Sequence, residues 1–250
     1  MPDRARTHRF FTPDLPDRSP ARVDLPPDEA RHARAALRLK PGAPVELFDG
    51  RGTVGRGVVR SLARRGVTVD VESIDRRRRP RPLVHLAFAA PRPKRLDWLL
   101  EKAVELAAAS LGAIVFERSV RGGQVLTDSK RRKWQARCVA AAKQSQLSVL
   151  PELCPTLALG EYLAIDRPPG DLCLLGDPAR DAAPLADAFE GQHHPDAVHV
   201  LIGPEGGLSG REQSRVLTAG FLPVRLGATT LRTETAAVAI LAAVTALCRP

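Results

Sequence analysis

Hydrophobic and polar residues follow two different patterns along the chain, and the change comes near residue 80. Before it, short apolar runs at 44–48, 57–59 and 67–71 are separated by turn signals such as Asp49-Gly50. Alternation with a period of two predicts strands that bury one face, and Asp-Gly is typical of the turn between paired strands. One short helix is expected at 27–39. Short strands at this spacing predict a small β-barrel of about 70 residues.

After residue 82, short apolar runs alternate with segments whose apolar residues recur at helical spacing. Strands are predicted at 83–90, 112–116, 171–175 and 197–202. Helices are predicted at 96–107, 129–147, 209–220 and 234–247. Ser209 and Glu212 open the third of these helices with the spacing of a capping box. The alternation predicts an α/β domain with a mostly parallel sheet and helices on both of its faces.

The segment 75–82 between the two patterns contains five arginines and two prolines. Proline lacks a backbone donor and neighbouring arginines repel each other, so an extended and solvated linker is expected. The sequence therefore predicts a β-barrel at 1–74, a linker at 75–82 and an α/β domain at 83–250.

The formal net charge of +10 indicates a polyanionic partner, and its distribution along the chain is uneven. Residues 1–82 contain 19 Lys and Arg against 11 Asp and Glu, whereas residues 83–250 contain 19 against 17. Only six of the 38 cations are lysine, so the base composition of the genome is an alternative cause of the high arginine content. That alternative does not explain why the excess lies in the first third of the chain.

Several classes of protein are excluded by the sequence. No run of about 18 consecutive apolar residues is present, and no apolar segment follows the charged N-terminus, so neither a membrane span nor a secretory signal is expected. No CxxC pair occurs, and His193-His194 has no further ligands nearby in the sequence, so no metal is expected. A reduced, cytoplasmic protein is the expectation. The cysteines are far apart, at Cys138, Cys154, Cys173 and Cys248.

Two glycine-containing segments follow predicted strands of the α/β domain. The first is Ile202-Gly-Pro-Glu-Gly-Gly207, and the second is Leu226-Gly-Ala-Thr-Thr-Leu-Arg-Thr-Glu-Thr235. Ligands of parallel sheets bind beyond the carboxyl ends of the strands, and glycine lets the backbone approach them closely. Neither segment matches GxGxxG or the phosphate-binding GxxxxGK[ST] pattern. Each segment alone is also compatible with an ordinary turn, but two on one sheet favour a ligand site.

Together, Gly203-Pro-Glu-Gly-Gly207 and Leu231-Arg-Thr-Glu-Thr-Ala236 resemble the RsmE family, the 16S rRNA uracil-N3 methyltransferases of the SPOUT superfamily. Two positions depart from the family pattern. Ala107-Ala108 stands where the family usually has Gly-Val, and the arginine that normally follows Ser145 closely is absent. Further similar segments are His8-Arg-Phe-Phe11, Arg31-His32, Leu37-Arg38, Gly42, Phe48-Asp-Gly50, Lys94, Asp97, Glu101-Lys102, Glu105-Leu106 and Lys143-Gln-Ser145.

The resemblance implies a C-terminal SPOUT α/β domain with a deep trefoil knot, preceded by a PUA-like RNA-binding β-barrel. It also implies S-adenosylmethionine as cofactor, bent in the knot, and a homodimer. The apolar helix at 235–247 suits a dimer interface, although a core helix explains its composition equally well. The implied cofactor-binding residues are Leu175, Gly176, Ile202, Gly203, Pro204, Gly206, Gly207, Leu226, Gly227, Leu231, Thr233 and Ala236.

Methylation of uracil N3 requires that the two reactants are oriented, that a proton leaves and that negative charge is stabilised. Arg232 is the first candidate for holding the uracil or its phosphate, because a planar bidentate donor suits both. Its alternative role is an ion pair with Glu205 or Glu234. Glu205 is a candidate base, or it orients Arg232 or caps nearby amides. Glu234 lies in the first turn of a helix, where the helix dipole alone favours a carboxylate; Thr233 and Thr235 are compatible with simple capping.

The expected partner is 16S rRNA within the small ribosomal subunit. The basic face formed by Lys130-Arg-Arg-Lys133 and Arg137 is more typical of a solvated helix than of an RNA site. An inactive rRNA-binding assembly factor of the same fold is the alternative function. A small-molecule methyltransferase is disfavoured because a small neutral substrate needs no cationic barrel. The predicted RNA-binding residues are Arg9, Arg31, Arg38, Arg76, Arg77, Arg78 and Arg79.

Overall fold

The computed structural model describes residues 7–64, 66–119, 126–179, 181–190 and 195–248. The chain divides into two compact units. The first contains the residues up to Arg79 together with Ala142–Leu150, and the second contains Pro80–Ala141 and the residues from Pro151 onward.

The first unit is built around one mixed sheet, with a single parallel pairing between β1 and β3. The hydrogen-bonded order is β1-β3-β4-β5-β2, and the remaining pairings are antiparallel. Its helical part is α1 (Pro27–Arg31), continued by a π-helical turn at His32–Ala36. The strands of this unit are β1 (His8–Phe11), β2 (Ala21–Asp24), β3 (Pro44–Phe48), β4 (Thr53–Ala63) and β5 (Gly66–Arg76).

Alternating burial along β5 explains why these residues form a strand: Val67, Val69 and Val71 point into a core that also contains Phe10 and Leu47. β4 is longer than the predicted strand at 57–59. β4 and β5 shift register after Arg56, and a Cβ at Gly57 would collide with the Asp70 carbonyl oxygen.

Three features of this unit correct the predictions. The linker expected from residue 75 begins later, because β5 continues through Asp75 and Arg76 and pairs with the start of β4. The helix expected at 27–39 ends at Ala36. The segment Ala142–Leu150, which the sequence assigned to the α/β domain, packs with the first unit. There Leu150 N donates to Gly50 O at 2.8 Å.

The second unit contains a parallel sheet, as the sequence predicted. Its order is β11-β13-β10-β12-β6-β7-β8, and β9 also pairs with β7. Its strands are β6 (Leu83–Ala89), β7 (Ser110–Val115), β8 (Glu152–Leu153), β9 (Leu157–Ala158), β10 (Leu172–Gly176), β11 (Ala183–Pro184), β12 (Ala197–Ile202) and β13 (Leu222–Arg225). Its helices are α2 (Pro93–Glu105), α3 (Asp128–Ser145, which ends in the first unit), α4 (Leu159–Leu163), α5 (Gly210–Thr218), α6 (Thr233–Leu247) and a 3-10 helix at Leu185–Phe189.

Helices cover both faces of this sheet. On one face, Leu201 of β12 shares an apolar cluster with Leu159 of α4 and Val216 of α5. The next residue, Ile202, points to the opposite face, because successive strand residues alternate. There, α6 packs against α2 and against β6, β12 and β10. α6 buries Ala237, Ile240, Leu241 and Val244, so its apolar composition serves the core of this unit.

Within the part of the chain that the structure describes, no helix is long and apolar enough to cross a membrane. All four cysteines are free thiols.

Candidate active site

A cavity of about 340 Å³ opens where the carboxyl ends of β10, β12 and β13 meet the start of α6. Ligands of parallel sheets bind in this position, and the volume is within the range of small-molecule sites. Both glycine-containing segments contribute to its wall. Its lining consists of Leu175, Gly176, Asp177, Pro178, Ala179, Ile202, Gly203, Pro204, Glu205, Gly207, Leu208, Gln213, Val224, Arg225, Leu226, Gly227, Thr229, Thr230, Leu231, Thr233, Ala236 and Ile240.

Eleven of the twelve residues predicted to bind the cofactor line this cavity. The exception is Gly206, whose carbonyl oxygen accepts a hydrogen bond from Arg118 Nη1 at 2.9 Å. Arg118 lies just after β7, and the same nitrogen is 3.4 Å from Leu208 O. The sequence missed Arg118, which ties the glycine loop after β12 to the segment that follows β7.

The loop after β12 ends in the predicted capping box, which the structure confirms. Glu212 N donates to Ser209 Oγ at 3.2 Å, and Ser209 N donates to Glu212 Oε2 at 2.9 Å. The other carboxylate oxygen of this buried glutamate, Oε1, accepts a hydrogen bond from Glu117 N at 2.8 Å. The side chain that starts α5 therefore also fixes the end of β7.

Thr233 connects the two segments. Its Oγ1 donates to Gly203 O at 3.2 Å, and the residue is buried. Simple capping, one of the roles open to Thr233, therefore does not describe this contact, because the side chain joins the start of α6 to the glycine loop. On the other side of the cavity, Asp177 N donates to Val224 O at 2.9 Å, which fixes the end of β10 beside β13.

The two glutamates predicted as catalytic residues share one cation, and that cation is not Arg232. Arg95 Nη1 lies 2.5 Å from Glu205 Oε1, and Arg95 Nε lies 3.4 Å from Glu234 Oε1. Glu205 is exposed and lines the cavity, whereas Glu234 is buried and does not line it. The interpretations of Glu205 as an amide cap or as a partner of Arg232 are thus replaced by an ion pair with Arg95.

Arg232 is the N-cap residue of α6 and its side chain is exposed. Among the described residues, its guanidinium has no hydrogen-bond or ion-pair partner. The structural alternative, an ion pair with Glu205 or Glu234, is therefore not formed. Arg232 remains available to a ligand, at the edge of a cavity that its neighbours Leu231 and Thr233 line.

Arg9 is placed differently from its predicted RNA-binding role. Its side chain is only 6% exposed, and it donates to Glu46 Oε1 at 2.7 Å and to Ser148 Oγ at 2.7 Å. Nη1 donates to the carbonyl oxygens of Ala142 and Leu147, both at 2.9 Å. Burial lowers the pKa of Arg9, and Glu46 opposes this effect. The prediction is corrected: Arg9 binds the segment Ala142–Leu150 inside the first unit.

The other predicted RNA-binding arginines differ in exposure. Arg31, Arg38, Arg76, Arg77 and Arg78 are exposed. Arg31 pairs with exposed Asp28 at 2.8 Å, and Arg77 lies 3.5 Å from Glu46. Both arginine side chains stay exposed in these pairs, so both cations remain accessible to phosphates. Arg79 is half-buried, donates to Leu150 O at 2.7 Å, and burial lowers its pKa.

No group of three or more histidine, cysteine, aspartate or glutamate residues that could hold a metal occurs in the described ranges. His193 and His194 lie outside the described residues.

Comparison with known proteins defines the class first. Residues 78–245 match the model described as an RNA methyltransferase domain, and residues 25–72 match the RNA methyltransferase PUA domain. The first match alone covers more than half of the chain. The mixed sheet, the parallel sheet and the cavity at its carboxyl edge are thus those of an RNA methyltransferase with an N-terminal PUA domain.

Individual relatives give the family. The chain is 32% identical over 245 residues to the ribosomal RNA small subunit methyltransferase E of Mycobacterium bovis, covering 94% of this chain and 90% of that protein. Its namesake from Synechocystis is 28% identical over 227 residues, with 91% and 74% covered. The crystal structure of the namesake from Neisseria gonorrhoeae bound to S-adenosyl methionine is similar with a TM-score of 0.85, at 29% identity over 96% of this chain and 98% of that one. This chain belongs to the ribosomal RNA small subunit methyltransferase E family, which confirms the resemblance of the two loop motifs.

Proposed function

We propose that this protein transfers a methyl group from S-adenosylmethionine to N3 of a specific uridine in 16S rRNA of the small ribosomal subunit. The observation that carries the proposal is the convergence of eleven predicted cofactor residues on one cavity, with Glu205 in its wall and Arg232 at its edge. Family membership supports the substrate.

The cavity suits S-adenosylmethionine in size and chemistry. Leu175, Ile202 and Ile240 offer apolar surface to an aromatic base, while Asp177 and Thr230 offer polar groups to a ribose or an amino acid. A Cβ at Gly176 would meet Ile202 Cδ1 at 2.7 Å, so glycine keeps this wall open. When bound, the cofactor supplies an electrophilic methyl group on a positively charged sulfur.

The chain's own residues supply orientation, exclusion of water and proton transfer. The bond from Thr233 to Gly203 holds the two segments that enclose the cavity. Arg232, whose guanidinium has no partner among the described residues, binds the uracil or its phosphate. Of the two predicted catalytic glutamates, only Glu205 lines the cavity. Its carboxylate accepts the N3 proton as N3 attacks the methyl group. Glu234 lies outside the lining and takes no part in this proton transfer.

Arg31, Arg38 and Arg76–Arg78 bind rRNA phosphates, which their exposure and the excess positive charge of this part of the chain support. The α/β domain contains a deep trefoil knot, and the protein is a cytoplasmic homodimer. Exposed Ala242, Ala246 and Leu247 on α6 support a second copy packing there.

Methyl transfer from labelled S-adenosylmethionine to undermethylated small subunits tests the proposal. We expect label in the 16S rRNA with wild-type protein and loss of incorporation with Arg232→Ala. An Arg18→Ala variant, whose exposed arginine has no assigned role, serves as control. Tight binding of subunits without any incorporation would overturn the proposal and favour the inactive assembly factor.

A further inference from the structure

Among the residues that the structure describes, Arg95 contacts both carboxylates of the candidate site. It lies in the first turn of α2, and its side chain is 32% exposed. Its Nη1 binds Glu205 of the glycine loop at 2.5 Å, and its Nε lies 3.4 Å from Glu234 at the start of α6. Three separate elements of the second unit therefore meet at one guanidinium.

Glu234 needs this cation more than Glu205 does. The side chain of Glu234 is only 9% exposed, and its Oε2 is buried without a hydrogen-bond partner in the described part of the chain. Removing the partner of a buried charge is strongly destabilising, because the remaining charge has lost both water and its counter-ion. Arg95 is thus held in place from the α6 side by a buried carboxylate.

The anchored Arg95 in turn orients the side chain of Glu205. Its side chain is 59% exposed, so little packing restrains it, and its ion pair with Arg95 fixes the direction of its carboxylate. Arg95 is not part of the cavity lining and therefore acts on a ligand through Glu205. A small misplacement of a catalytic group can lower a rate by about 100-fold.

We propose that Arg95 is a positioning residue for methyl transfer, which anchors on Glu234 and holds the Glu205 carboxylate at the wall of the cavity. This inference rests on the proposed function. If Arg95 had a purely structural role, its removal would lower stability. The effects of the Arg95 and Glu205 substitutions on the activation free energy would then be additive.

The test compares Arg95→Ala, Arg95→Lys, Glu205→Gln and the double variant Arg95→Ala/Glu205→Gln in methyl transfer to small subunits. Lys102→Ala is the matched control, because Lys102 lies on the same helix between Glu101 and Glu105, at 3.0 and 2.8 Å. We expect Arg95→Ala to lower kcat by about 30- to 100-fold while the Kd of S-adenosylmethionine changes less than about threefold. Arg95→Lys, which keeps the charge but not the two-sided contact, recovers part of kcat.

The double variant decides the relation between the two residues. If Arg95 acts through Glu205, adding Arg95→Ala to Glu205→Gln lowers kcat by less than about threefold. Multiplicative losses in kcat, or an Arg95→Ala enzyme with unchanged kcat, would overturn the proposal.

Hydrogen exchange of 203–208 and of the first turn of α6 gives a readout independent of activity. Exchange should rise in both segments with Arg95→Ala and in neither with Lys102→Ala. If wild-type protein transfers no methyl group, the proposed function fails, while unchanged exchange in Arg95→Ala would separately refute the contact.

Discussion

Replacing Arg9 with alanine is the sharpest test of how the first unit is held together. The guanidinium lies between β3 and the segment Ala142–Leu150, and 4.4 Å from the centre of the Phe48 ring. Truncation removes one ion pair with Glu46, two hydrogen bonds to backbone carbonyls and one to Ser148 Oγ.

The magnitude follows from what truncation leaves behind. A hydrogen bond to a charged group contributes about 1.5–3 kcal/mol, and breaking a buried ion pair costs about 3–5 kcal/mol. Glu46 keeps two other cations, Arg56 at 3.3 Å and Arg77 at 3.5 Å. The cost of leaving the Glu46 carboxylate without Arg9 is therefore small. Water entering the vacated space partly replaces the lost donors. We therefore expect Arg9→Ala to lower the free energy of unfolding by about 3–5 kcal/mol.

Urea unfolding followed by circular dichroism measures this loss as a shift of the midpoint at constant slope. Arg56→Ala is the matched control: Arg56 binds the same Glu46 but is 49% exposed, so its removal should cost no more than about 1 kcal/mol. A loss below about 1 kcal/mol for Arg9→Ala, together with weakened binding of rRNA, would refute this reasoning and restore the RNA-binding role.

Ala107 has a φ of 57° at the end of α2, a conformation that favours glycine, so Ala107→Gly should raise the free energy of unfolding by about 0.5–1 kcal/mol in the same urea experiment. Gly176→Ala places a Cβ against Ile202 at 2.7 Å and narrows the cavity. Calorimetric titration should show S-adenosylmethionine binding weakened at least about tenfold. Burial lowers the pKa of His199, and its 2.9 Å hydrogen bond to Asp171 opposes this. As the pH falls below about 6.5, the unfolded chain therefore protonates this histidine more readily than the folded protein does, and stability falls. His199→Gln should reduce the fall in Tm between about pH 7.5 and 5.5.

Each of these three predictions has an outcome that contradicts it. A lower urea midpoint for Ala107→Gly would mean that unfolded-state entropy outweighs the relief of the left-handed conformation. Unchanged cofactor affinity in Gly176→Ala would place the ligand elsewhere than against this wall. An identical pH dependence of Tm in His199→Gln would mean that other groups control acid stability.

Local features of the site were predictable from the sequence because each depends on residues close together in the chain. The glycine-containing segments follow apolar strands directly, and the capping box of Ser209 and Glu212 spans four residues. The parallel sheet follows from alternating strands and helices in the same way. Such signals need no knowledge of what lies across the fold.

Arg95 and the true role of Arg9 were not predictable by the same means. Arg95 is 110 residues away from Glu205, and Arg9 is 139 residues away from Ser148. No spacing rule connects such residues. One signal did exist: a cation in the first turn of a helix is disfavoured by the helix dipole, so Arg95 needed a carboxylate nearby. Composition records charge but not burial, so it predicts a ligand-binding role even for the buried Arg9.

The most direct test of the central claim is mass spectrometry of nucleosides from small-subunit rRNA after reaction with the protein and S-adenosylmethionine. We expect 3-methyluridine at one site of the 16S rRNA, dependent on the protein and absent with Arg232→Ala. Methylation at another position of the base or ribose, or no methylated nucleoside at all, would contradict it.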